Sequence, residues 1–335
     1  MAKGYRGLTE NHYLLKLLGA GGKLHSVIEK VNADNEYWLG MRDNRVMLYY
    51  MGGKILEISA KGNLSFDDKY LKHSNISNIG ALFAKISDWE KNEQILRNTI
   101  YNFQSSSHNE KIAQQEIMLE NNKTKDAEWF LVDMEYSVPG ISYGRFDMIA
   151  ISKKKDKSGK YRIALVELKS GTDAFGGAKA IRDHNKKIID IERYGSGIAG
   201  HINNFYEFLY GPKAATTVKN LAKEIATIIK NYNELGIDTP FLDLRESDIN
   251  IEPVCVECII LCTDVDLKNT DAAYHKARRF IFKNEYKSSE LCLESDFCWN
   301  KNKEFDQKYG KLVLHISIVD KERVIKRNNF KQLKK

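Results

Sequence analysis

The chain has no apolar run approaching the ~20 residues that a membrane helix needs. The longest clear one is Cys258 to Cys262 with its neighbours, so no membrane association is expected. The start, MAKGYRGLTE, carries no apolar segment of the signal-peptide kind. Five cysteines are an odd number without the spacing of a disulfide framework. That excludes a scaffold built on disulfides and points to a reducing cytoplasm. Proline is scarce, at four residues, beside abundant Lys, Asn and Ile, a balance that suits AT-rich coding. A phosphate loop is missing too. Gly19-Ala20-Gly21-Gly22-Lys23 has Leu17 where the first glycine belongs and Leu24 after the lysine, so it reads as a helix–helix turn.

What is present is enough chain for a sizeable core. At 335 residues two domains are expected, and 42% hydrophobic with 29% charged residues is a globular composition. Residues 8–33 show leucines and valines at helical spacing. Residues 36–68 are a run of short apolar segments with turn signals at Asp43-Asn44, Gly52-Gly53 and Lys61-Gly62-Asn63, which predicts an antiparallel meander. Together these make a small N-terminal α+β domain over 1–75, followed by a helical connector over 76–107. The main α/β (α+β) domain spans 108–320. From Lys321 to Lys335 the chain has seven basic residues against Glu322 alone, so most of the net +7 sits in a C-terminal tail. Such a tail either tracks phosphates or serves as a solubilising terminus.

The stretch from Gly144 to Gly171 carries the chemistry. Arg145–Ser152 and Tyr161–Lys169 are apolar strands joined by a charged turn, yet they contain Asp147, Glu167 and Lys169. Burying a charge without a partner is costly, so these three need one another. If the turn centres on Lys157, Asp147 falls opposite Glu167. Opposed residues of an antiparallel pair have Cβ atoms about 4.5–5.5 Å apart on one face. Glu167 and Lys169, two residues apart, share that face. Two carboxylates so close repel unless a cation sits between them, and oxygen ligands suit Mg²⁺ or Mn²⁺. A structural salt bridge in an ordinary hairpin would use the same side chains.

Asp147 on one strand and Glu167-Leu168-Lys169 on the next resemble the motif of the PD-(D/E)XK nuclease superfamily. Phe146 stands where the name-giving proline would be, a residue that the superfamily dispenses with. The resemblance implies a restriction-endonuclease-like core, a mixed central sheet flanked by helices. It implies a Mg²⁺- or Mn²⁺-dependent deoxyribonuclease acting on DNA, serving restriction or defence against foreign DNA. Asp147 and Glu167 would hold the metal, with the Leu168 carbonyl as a further ligand, and Lys169 would orient water or steady the transition state. A homodimer or a partner subunit is compatible with it, as is a silent nuclease-like fold that only binds nucleic acid or a partner protein.

The same resemblance directs attention to an acid from the helix before the first core strand. Within Asn109–Asn121, Glu116 lies nearest the centre of the apolar side, with Glu120 also on it. Glu135, on a strand over Glu128–Val138, is the other candidate. That strand is expected to place Phe130, Val132, Met134, Tyr136 and Val138 on one face and Asp133 and Glu135 on the other. A helix is predicted from Ala178 to Arg193, offering Lys179, Arg182, His184 and Lys186 to phosphates, and Lys326 and Arg327 of the tail would add to them. His201, in a helix over Ile198–Tyr210, reads as structural. Cys255 and Cys258 form a C-x-x-C that a strand would split between its faces, which argues against a zinc site with Cys292 and Cys298. Ala272–Phe282 is read as a further helix.

Overall fold

In a computed structural model of the chain the described residues are 5–73, 88–105, 109–170, 181–182, 188–190, 198–264, 309–319, 321–326 and 331–332. Two short helices open it, α1 (Tyr13–Leu18) and α2 (His25–Ala33). His12 caps the first, its Nδ1 accepting the Leu14 N–H. The glycine-rich stretch between the two helices is a turn, as its sequence predicts. Then come β1 (Tyr37–Arg42), β2 (Arg45–Tyr50), β3 (Gly53–Ile58) and β4 (Leu64–Ser65), an antiparallel meander in sequence order. Helices α3 (Asp88–Gln104) and α4 (Asn109–Lys123) lead to β5 (Trp129–Ser137), β6 (Arg145–Ser152) and β7 (Ile163–Ser170).

Beyond these lie β8 (Ile181–Arg182) and β9 (Ile188–Asp190), then α5 (Ile198–Tyr210) and α6 (Ala214–Leu235). The chain continues with β10 (Glu257–Thr263), β11 (Val313–Ile318) and β12 (Lys331–Gln332). The large sheet has the order β12-β11-β10-β7-β6-β5. β10 runs parallel to β7 and to β11, while β6 is antiparallel to both β5 and β7. The architecture is mixed α+β, with an antiparallel sheet beside a mixed one.

The mixed sheet separates two apolar clusters. On one face, Ile149, Ile151, Ile163, Leu165 and Ile260 join residues of α5 and α6 and of the N-terminal helices and meander. On the other, Ala150, Ala164, Val166 and Leu168 meet Ala113, Ile117 and Met118 of α4. Central strands buried on both faces read as continuous apolar runs, as in Ile163–Val166 of β7 and Cys258–Cys262 of β10.

Four expectations change. Residues 181–182 and 188–190 are paired strands, not part of a helix; β-branched Ile181, Ile188 and Ile189 favour extended backbone. The alternation along β5 is broken where the register shifts between Leu131 and Asp133. Met134 consequently joins Trp129 and Leu131 on the α4 side, and Asp133 is buried at 2% exposure. Cys255 sits in a 3₁₀ turn just before β10, so the C-x-x-C is not borne on one strand. The tail does not start as a frayed end: Val324 and Ile325 are buried, and Asn121 Oδ1 accepts the Ile325 N–H at 2.9 Å. Cys292, Cys298 and the Ala272–Phe282 segment lie outside the described residues.

Candidate functional site

β6 and β7 pair Met148 with Val166, Ile149 with Leu165 and Ala150 with Ala164, the register of a turn centred on Lys157. Continued by one residue it sets Asp147 across from Glu167. There the backbone ladder gives way to side chains. Asp147 Oδ2 accepts the Leu168 N–H at 2.7 Å. Lys169 Nζ lies 2.7 Å from Glu167 Oε1. Glu167 and Lys169 are 5% and 7% exposed, so this charge cluster is largely cut off from water.

Such burial is legible in the protonation of the group. Desolvation raises the Asp147 carboxyl, and the charge of Glu135 adds to the effect, against the pull of the Leu168 N–H and of Lys169. Glu167 is pushed well above the usual carboxylate range, first by burial and then by Asp147. Burial alone would lower Lys169, but Glu167, Asp147 and Glu110 outweigh it and the ammonium is held more firmly. Two buried carboxylates facing each other mark a place where a cation stabilises what water cannot.

Two residues complete the cluster that sequence reasoning missed. Glu110, in the first turn of α4, is partly buried, and its carboxyl is raised by burial and then by the charge of Asp147. His201, on α5, places Nε2 3.0 Å from Glu167 Oε1, the oxygen that Lys169 also contacts. Glu135 is brought close. It stands across from Asp147 between the pairs Met134–Met148 and Tyr136–Phe146, is exposed, and lies 3.8 Å from Lys111 Nζ.

Glu116 is not brought to this group. It is exposed and pairs with Arg323, whose Nε lies 2.9 Å from its Oε2. The buried side of α4 includes Gln114 and Gln115 as well as Ala113, Ile117 and Met118, so its centre is not where the apolar residues alone put it. Glu120 pairs with Lys123. Lys326 is exposed and pairs with Glu322. Arg182 falls in β8, while Lys179, His184, Lys186 and Arg327 lie outside the described residues.

Glu110, Glu135, Asp147 and Glu167 thus face Lys169, Lys111 and His201 in a half-buried place at the end of β7. Carboxylate oxygens in surplus suit a hard divalent cation. Among the described residues no three His, Cys, Asp or Glu side chains are grouped so as to hold a metal ion. The donor chemistry fits such an ion. No helix among the described residues is long and apolar enough to cross a membrane. Compared with family models, curated proteins and solved structures, the chain finds no match.

Proposed function

We propose that the protein is a metal-dependent nuclease of the PD-(D/E)XK kind, with a restriction-endonuclease-like core, that hydrolyses DNA phosphodiester bonds. The observation that carries this reading is the Asp147–Glu167–Lys169 cluster on paired strands, with Asp147 tied to the Leu168 N–H. Further support comes from the order of elements. The helix before the first strand of the sheet brings Glu110 to the acids, and α5, which follows the strand carrying Glu167 and Lys169, brings His201. A restriction or antiviral-defence role is the biological setting that the resemblance suggests.

Asp147 and Glu167 would hold Mg²⁺ or Mn²⁺, which supplies a water of lowered pKa and neutralises the phosphate under attack. Lys169 keeps a compact positive charge beside Glu167, where it can orient the attacking water or meet charge developing on a phosphate oxygen. Glu110 and Glu135 add negative charge that favours a bound cation. Burial of Glu167 and Lys169 strengthens every one of these interactions by lowering the local dielectric.

Purified protein incubated with linear, circular and single-stranded DNA, with and without Mg²⁺ or Mn²⁺, tests the reading directly. Cleavage that requires the ion and disappears in Asp147→Asn is expected. Binding of DNA with no cleavage of any form under either ion would replace the enzyme by a nuclease-like binding protein.

A further inference from the structure

We propose that Arg6 and Arg42 are positioning residues for the acidic site. The two guanidiniums, both from the N-terminal unit, hold the irregular turn of β5 so that Glu135 stands opposite Asp147. The inference rests on the cation-site reading above and adds the part of the chain that shapes that site.

Asp133 is buried between the two arginines, with Arg6 Nε 3.3 Å from Oδ2 and Arg42 Nη2 3.4 Å from Oδ1. Each guanidinium also reaches a backbone carbonyl beyond it. Arg42 Nη2 donates to Met134 O at 2.7 Å, and Arg6 Nη2 donates to Glu135 O at 3.1 Å. Two consecutive carbonyls of β5 are thereby held from outside the sheet. Arg6 serves the carboxylate with Nε and the carbonyl with Nη2, which a single ammonium nitrogen cannot match, while Arg42 reaches both from Nη2, at the end of a side chain longer than lysine's.

What they hold is unusual backbone. Glu135 has φ +53°, a left-handed conformation unfavourable for a residue with a Cβ. Such conformations persist where the surroundings over-determine them. Here the surroundings are the two arginines, and the result is a carboxylate whose charge is felt at both Asp147 and Glu110. The same N-terminal unit also seats Glu110. Gln115 Oε1 accepts the Gly52 N–H at 2.7 Å. Gly52, at φ +71°, lies so close to the first turn of α4 that a Cβ would stand 2.3 Å from Lys111 O. Both flanking acids are thus braced from one side.

Mn²⁺ affinity, measured by calorimetry on the full chain, tests this through a double-mutant cycle. Arg6→Lys keeps a positive charge beside Asp133 and loses the fork that reaches Glu135 O; Glu135→Gln removes the positioned charge. Each single variant should weaken Mn²⁺ binding about 10-fold, the lower end for outer-shell partners of a metal site. The double variant should be no weaker than the worse single one, because both remove the same interaction. Arg42→Lys, whose ammonium ends one bond short of the Nη2 position, runs the cycle from the other arm. Effects that simply multiply for both arginines overturn the inference and leave the cation site standing, and so does failure of both lysine variants to fold. Coupled effects in a protein that cuts no DNA keep the inference and remove the nuclease reading. A wild-type protein that binds no Mn²⁺ overturns both.

Discussion

The Asp147 carboxylate accepts the Leu168 N–H at 2.7 Å. A side chain of one strand thus stands in for the ladder bond of its neighbour, on the residue between Glu167 and Lys169. This contact ties the acid of β6 to the Glu167-Leu168-Lys169 triplet of β7. It also holds Asp147 on the face where Glu167 and Lys169 lie.

A divalent ion that binds only the folded chain should stabilise it. At about 100 times the dissociation constant the gain is about 2.7 kcal/mol, seen as a rise in Tm with Mg²⁺ or Mn²⁺. Asp147→Asn keeps an oxygen for the Leu168 N–H and loses the charge, so it should fold and show almost no rise. An equal rise in wild type and variant would take Asp147 out of the cation site.

Lys169 separates chemistry from binding. Lys169→Ala should cut DNA at least ~10²-fold more slowly in single-turnover measurements, the scale for one positioned electrostatic or acid–base group. DNA affinity, recorded in parallel, should hold. Lys169→Arg should recover little, since a guanidinium fork is wider than the space beside Glu167 Oε1, which His201 also occupies. Cutting at the wild-type rate by Lys169→Ala would end the mechanism.

The two helix acids should part company. Glu110→Gln should weaken Mn²⁺ binding and slow cleavage, because its charge is coupled to Asp147 and Lys169. Glu116→Gln should show itself in stability, through the loss of an exposed pair with Arg323 worth about 0–1 kcal/mol. Thermal melts and Mn²⁺ titrations of both variants decide the matter. The reverse pattern would restore Glu116 as the helix acid.

Glu224 makes stability depend on pH. Burial in α6 raises its pKa to about 7, against the Tyr136 hydroxyl, the Arg6 backbone N–H and the Arg6 charge, which hold it lower. A carboxyl raised on folding favours the folded state at low pH. That advantage is full below the unfolded value near 4.5 and is lost as pH climbs towards 7. An upper bound for the loss is ~3 kcal/mol. Urea unfolding at pH 5 and pH 8 should show a difference that shrinks in Glu224→Gln; an undiminished difference would assign the slope to other groups.

The hairpin was legible because everything about it is local. Asp156-Lys157-Ser158-Gly159 sets the turn, the two-residue period of a strand sets the faces, and Asp147 meets Glu167 with no help from distant chain. Glu110 was hidden for a physical reason. Gln115 and Asn121 of α4 are buried as hydrogen-bonding residues, to the backbone at Glu36, Tyr49, Ile117, Arg323 and Ile325, so the inner side of that helix is not its apolar side. The break in β5 left no sign in the residues that form it. Arg6 and Arg42, far off in sequence, create the place for Asp133. His201 read as an ordinary helix histidine because its partner, Glu167, is reached only when α5 folds over the sheet.

The arginines that grip β5 bear on how this protein can be taken apart. A chain trimmed to begin at α4 would leave Asp133 with neither of its two counter-charges. It would also strip Asn231 and Tyr232 of α6 of their bonds to the Leu8 and Leu39 backbone. Residues 5–73 are therefore not a passenger that could be shuffled onto another body, and grafting the acidic cluster elsewhere would require the meander to travel with it.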